Sequence, residues 1–77
     1  MAPPNNTGVI RDAGDLGIQI RQRRKALSLT QRDAAGLCGV GERFLSEIER
    51  GKPSASIGKT LLVVQRLGLQ LTVKAAA

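Results

Sequence analysis

The chain has 77 residues with one Phe, no Trp and no Tyr, so a single small domain must pack a thin core of Leu, Ile, Val and Ala, and self-association is the first expectation. It contains no His, which excludes a His-based triad and a zinc site of Cys and His. Twelve Lys+Arg against six Asp+Glu give a formal charge of +6, pointing to a polyanionic partner, with nucleic acid ahead of a membrane surface.

Residues 1–8, MAPPNNTG, have almost nothing to bury and are expected to be a disordered arm. The N-terminus lacks the apolar core of a signal peptide, and no stretch is apolar enough to span a bilayer. The main domain is expected over residues 9–68, with Val9 and Ile10 as a short extended segment on its body. Asp12 is placed to cap a first helix, and Asp15 adds negative charge in the first turn, near the positive end of the dipole. Leu16 and Ile20, four apart, share the inward face. Arg21, Arg23, Arg24 and Lys25 crowd the C-terminal half, where cations complement the dipole or meet phosphates.

Ser28 and Leu29 make the connection, with Leu29 dropping into the core. Thr30 is a good cap for a second helix, Gln31–Cys38, with Asp33 at its third position. Ala34, Ala35 and Cys38 face inward; with no His to activate it, Cys38 reads as a small core residue. A single Cys forms no internal disulfide, so a reducing cytoplasm fits best. Gly39 falls where the backbone must leave this helix, in a conformation cheap only for glycine. A third helix is expected from Glu42 to Arg50 behind the weaker cap Gly41, closed by Gly51 and kept closed by Pro53. Small Ala35, the turn at Gly39, then Val40, Leu45 and Ile48 on one inward face describe a helix-turn-helix.

A fourth helix is expected over Ser56–Leu67, with Ile57, Leu61, Val64 and Leu67 as its apolar stripe and Leu62 and Val63 broadening it. Gly68 ends it, and the pattern switches to period two: Leu69, Leu71 and Val73 on one face, Gln70 and Thr72 on the other. A lone strand needs a mate, so residues 69–74 are expected to pair antiparallel with the same strand of a second copy, leaving 75–77 as a tail. The fold class is therefore all-α, four helices with one short C-terminal strand pairing across a homodimer.

Enzymatic readings fail on spacing. Gly58-Lys59-Thr60 looks like the end of a phosphate-binding loop, but Pro53 stands where that loop needs its first glycine, and a helix end precedes it where a strand belongs. Asp12, Asp15, Asp33 and Glu42 all fall in first turns, and Glu47 and Glu49 suggest no paired-carboxylate site. No cofactor, metal or small-molecule substrate is expected.

The outward residues suit DNA. Glu42, Arg43, Ser46 and Glu47 lie in the half of the third helix that can reach base edges in a major groove. Arg43 can donate two hydrogen bonds to guanine; Glu42 and Glu47 either accept from cytosine or orient Arg43. Gln31 and Arg32 at the start of the second helix, with Arg50 and Lys52 beyond the third, are the expected phosphate clamps.

These residues resemble a known family. From Leu16 to Gly51 the sequence is similar to the XRE/Cro/cI-type helix-turn-helix regulators, through LTQ at Leu29–Gln31, GV at Gly39–Val40 and IERG at Ile48–Gly51. The FLSE–IERGKP run and its continuation to Val73 resemble the HipB-like antitoxins, and the likeness extends over residues 9–74. It implies a lambda-repressor-like fold, a cytoplasmic homodimer that represses its own operon at double-stranded operator DNA, and a HipA-like kinase toxin as partner. It also implies that Gln31 contacts phosphate and a base edge and that Arg24 and Glu49 form a buried ion pair. Relatives often carry Gln or Lys where Glu42 stands, so the base code does not follow from the family. Two rivals stay open: a free-standing XRE-family repressor without a toxin, and a dimeric protein-interaction module that has lost operator binding.

Overall fold

The computed structural model describes residues 8–76, so all of the expected arm except Gly8 lies outside the described residues, as does Ala77 of the tail. Four helices follow one another: α1 Ala13–Ala26, α2 Gln31–Cys38, α3 Glu42–Glu49 and α4 Ile57–Arg66. Each starts where the local chemistry allows. Asp12 accepts the Asp15 N–H at 2.8 Å, Thr30 accepts that of Asp33 at 3.0 Å and Ser56 that of Lys59 at 3.3 Å. These side chains satisfy N–H groups that a helix start leaves without partners. Gly41 caps α3 without a side-chain bond. Gly39 adopts the left-handed conformation (φ 71°), and the Val40 N–H closes back on the Ala35 carbonyl at 3.0 Å, which turns the chain from α2 into α3.

The core consists of Ile20, Ala34, Ala35, Cys38, Leu45, Ile48, Val63, Val64 and Leu67, with Leu16, Leu29, Val40, Phe44, Ala55 and Leu69 packed around it. Cys38 is fully buried, and burial raises its thiol pKa against a smaller opposing pull from Arg66. It is a protonated core residue.

The tightest contact is between α1 and α3. A Cβ built on Gly17 would overlap the Ile48 carbonyl oxygen and lie 2.8 Å from that of Glu49. One on Gly51 would meet the Gly14 Cα at 2.7 Å. Any side chain at Gly17 would therefore push α1 away from the end of α3. Ala35 is buried as its small size suggests, and a further close approach is at glycines that no local pattern singles out.

Two expectations need correction, the apolar stripe of α4 and the seat of Val9, and the role of Asp15 is extended. The α4 stripe is rotated: Thr60, Val63, Val64 and Leu67 face inward, whereas Ile57 is 75% and Leu61 39% exposed. Thr60 takes an inward place because its hydroxyl donates to the Ser56 carbonyl at 2.7 Å, so no polar group is stranded. Asp15 does more than face the dipole. It is buried and accepts Arg11 N at 2.9 Å and Arg11 Nε at 2.9 Å, bonds that hold its carboxyl below the usual 3.8 against a smaller opposing effect of burial. Val9 is 59% exposed and only Ile10 leans on the body. Within one chain residues 69–74 form no strand, and the pairing across two copies is not shown: Leu69 packs on the core, and Leu71 and Val73 run on exposed. No described helix is long and apolar enough to cross a membrane.

The glycine contact gives a paired test. Gly17→Ala is expected to lower unfolding stability by about 1–3 kcal/mol. Gly36→Ala, where an added methyl meets nothing within 4 Å on an exposed helix face, should raise it by about 0.4–1 kcal/mol. Urea midpoints measured at unchanged slope decide both.

Candidate nucleic-acid interface

The outward face of α3 is presented by what its inward face does. Leu45 and Ile48 bury into the core, and Glu49, next to Ile48, is buried as well. A buried carboxylate must be paired, and this one is. Arg24 of α1 donates from Nε to Glu49 Oε2 at 2.6 Å and from Nη2 to Oε1 at 3.0 Å, a two-pronged ion pair. The remaining Arg24 Nη1 donates to the Leu29 carbonyl at 2.8 Å, in the turn before α2. The bond to Glu49 raises the Arg24 pKa above its ordinary value, with burial opposing, so the guanidinium stays charged. One cation thus fastens α1, the α1–α2 turn and the end of α3.

Gln31, at the first position of α2, belongs to the same network. Its Nε2 donates to Glu49 Oε1 at 3.2 Å, so this half-buried side chain is held beside the end of α3. Arg32, next along, is exposed.

On α3 itself Glu42 and Arg43 are exposed, and Ser46 and Glu47 are half-buried. The Arg43 side chain is 91% exposed, with Nε 3.9 Å from Glu47 Oε2. Lys52, in the exit loop, donates from Nζ to the same Glu47 oxygen at 3.2 Å. Glu47 therefore sits between a candidate base reader and a candidate phosphate clamp. Exposed pairs of this kind contribute only about 0–1 kcal/mol, so neither cation is locked away from a polyanion. Arg50, the C-cap of α3, is exposed.

The structure therefore gathers candidates into two groups, Arg24–Glu49–Gln31 and Arg43–Glu47–Lys52, and leaves Arg32, Glu42 and Arg50 exposed. Sequence reasoning missed the Gln31–Glu49 and Lys52–Glu47 bonds. It also missed Arg23, whose Nε donates to the Leu67 carbonyl at 2.8 Å, 44 residues away. Arg11 and Asp15, four apart, carried a readable signal; the Arg23 contact carried none.

The tempting Gly58-Lys59-Thr60 triplet is spent structurally. Lys59 lies 5.7 Å from the centroid of the Phe44 ring, and the Thr60 hydroxyl bonds within α4.

A glycine turn between two short helices, the second offering a polar outward face beside exposed cations, defines a helix-turn-helix domain. Residues 15–77 match the helix-turn-helix domain family model, and the chain belongs to that family of DNA-binding transcriptional regulators. Within it the chain is of the XRE type, and its fold is like that of HipB. An uncharacterized HTH-type transcriptional regulator of Sinorhizobium fredii (strain NBRC 101917 / NGR234), y4mF, is 44% identical over 66 residues, which cover 86% of this chain and 87% of the relative. Among solved structures, the HipB–O4 20mer complex superimposes with a TM-score of 0.79 at 20% identity, covering 90% of this chain and 97% of that one. The HipA–HipB–O2–O3 complex gives a TM-score of 0.80 at 19% identity, with the same coverage of 90% and 97%. At these identities the likeness concerns the fold.

The buried ion pair predicts an asymmetry. Glu49→Ala leaves Arg24 charged and unpaired, and is expected to cost about 3–5 kcal/mol. Replacing both residues together by Met should recover most of that loss, because the apolar pair carries no stranded charge. Denaturant unfolding of the single and double variants reads the difference.

Proposed function

We propose that the protein is a dimeric, sequence-specific repressor of double-stranded operator DNA, a HipB-like antitoxin that controls its own operon in the cytoplasm and binds a HipA-like kinase toxin. The observation that carries DNA binding is the α3 face, where Arg43 projects 91% exposed from a helix whose other side is buried and clamped by Arg24–Glu49. A base-reading side chain needs a rigid mount and free reach, and Arg43 has both. Ser46 lies on the same face. Glu42 and Glu47 act as acceptors for cytosine or as a brake on non-specific phosphate binding, with Glu47 orienting Arg43. Gln31, Arg32, Arg50 and Lys52 are assigned to the phosphate backbone, which sets affinity and register.

Dimerisation is supported by the apolar surface that one chain leaves open. Ile57, Leu61, Leu71 and Val73 are exposed, and Ile57, Leu61 and Leu71 border an open hollow of about 250 Å³ that reaches down to Ile20 and Ile48. Strand pairing through Leu69, Leu71 and Val73 of two copies would cover part of this surface. The toxin partner is supported by the likeness to HipB as solved with HipA. A second reading is a free-standing repressor without a toxin; the 44%-identical relative from Sinorhizobium fredii is described as a transcriptional regulator. Co-purification with a HipA-like kinase separates the two.

A footprint of the protein on the DNA upstream of its own gene tests the operator reading. It should show a dyad with half-sites about one helical turn apart, and no protection at low salt would sink the proposal. Within that footprint Arg43→Ala should cost about 1–3 kcal/mol at one base pair per half-site, while Arg32→Ala or Lys52→Ala should weaken all DNA alike and flatten the salt dependence. Leu71→Pro removes a ladder donor and should yield monomers in sedimentation; a persistent dimer would refute the strand pairing.

A further inference from the structure

Arg23 and Arg24 are neighbours on α1 and reach in different directions. Arg24 holds the end of α3 through Glu49. Arg23 holds the end of α4: its Nε donates to the carbonyl of Leu67, the helix C-cap, at 2.8 Å. Its Nη2 lies 3.0 Å from the point where a Cβ on Gly68 would sit, so the guanidinium rests against the turn (φ 77°) that starts the C-terminal segment. One turn of one helix therefore fixes both the recognition helix and the place where residues 69–74 leave the domain.

We infer that Arg23 is a positioning residue for operator binding: it fixes the exit of the Leu69–Val73 segment relative to α3, and thereby the half-site spacing that two joined copies accept. The inference rests on the dimeric operator reading given above. A two-fold assembly joined through that segment converts any change in its exit angle into a change in the separation of two α3 helices. The helix end itself does not depend on Arg23. Leu67 is buried in the core, the Gly68 N–H bonds the Gln65 carbonyl at 3.0 Å, and the Leu69 N–H bonds the Val64 carbonyl at 2.9 Å. What Arg23 adds is a charged hydrogen bond on a carbonyl at the negative end of the α4 dipole, which ties that end to α1. Removing it leaves α4 folded and the exit less firmly aimed.

The test uses the full chain and a set of duplexes carrying two footprinted half-sites at spacings of one helical turn and one or two base pairs more or fewer, together with a single half-site duplex. Fluorescence anisotropy gives the affinities. The unaltered protein should show a sharp optimum of spacing. In Arg23→Met the ratio between the optimal spacing and its neighbours should fall about tenfold, with the single half-site bound as before. Arg23→Lys, which keeps a cationic donor, should restore part of that ratio. An unchanged spacing ratio in Arg23→Met overturns the inference. Loss of single half-site binding by Arg23→Met and by Arg23→Gln alike would make the residue a structural one and overturns it too. If the unaltered protein itself shows no spacing optimum, the dimeric operator reading fails first, and the two failures are told apart.

Discussion

The domain depends on how closely α1 lies against the end of α3. Gly17 admits the carbonyls of Ile48 and Glu49 to a distance that no side chain would allow, and a Cβ on Gly51 would likewise run into Gly14. At that separation the Arg24 guanidinium reaches Glu49 with both prongs. Each feature needs the other. Without the glycines the ion pair would be stretched; without Arg24, a buried Glu49 would carry an uncompensated charge next to the core. A buried ion pair is weak evidence of stability, since an apolar pair of similar volume often does as well. It is better explained by geometry: directional bonds from one cation to Glu49 and to Leu29 set the angle of α3 and the start of α2 at once.

On the proposed reading, the same arrangement explains how an acidic residue is tolerated on a face that meets a polyanion. Glu47 is half-buried between Arg43 and Lys52, so its charge is already matched in the free protein. Phosphates approaching the proposed interface would meet cations in excess: Arg32, Arg43, Arg50 and Lys52 against Glu42 and Glu47. In high dielectric these pairs exchange easily, which leaves the cations usable while still penalising a wrongly placed phosphate. On the proposed reading that penalty favours base contacts over indiscriminate backbone binding.

Much of the fold was legible because it is encoded locally. Asp12 and Thr30 act as caps, Gly39 turns the chain from α2 to α3, and Ala34, Ala35, Cys38, Leu45 and Ile48 face the core, each from a pattern spanning a few residues. The outward placement of Arg43 was legible for the same reason. What escaped depends on distance or on competing faces. Nothing near Arg23 in sequence points to Leu67, and nothing near Gly17 announces Ile48. The rotation of the fourth helix escaped because almost every position in its middle is apolar, so periodicity could not choose between two faces. Thr60 decided the matter: its hydroxyl is satisfied within the helix, which lets a nominally polar residue face the core and rotates Ile57 and Leu61 outward.

With α4 rotated in this way, its surplus apolar side chains reach the surface. A domain of this length cannot enclose all of them, and here they are concentrated rather than scattered. Ile57 and Leu61 from α4 and Leu71 from the C-terminal segment border one hollow with Ile10 and Leu16. Cations are sparse there: among its lining residues only Lys52 is charged positively, and Asp12 is the one acid. The helix-turn-helix residues expected to meet DNA lie elsewhere, apart from Lys52. Charge and apolar surface are thus largely separated, and on the proposed reading one meets the polyanion while a second copy covers the other.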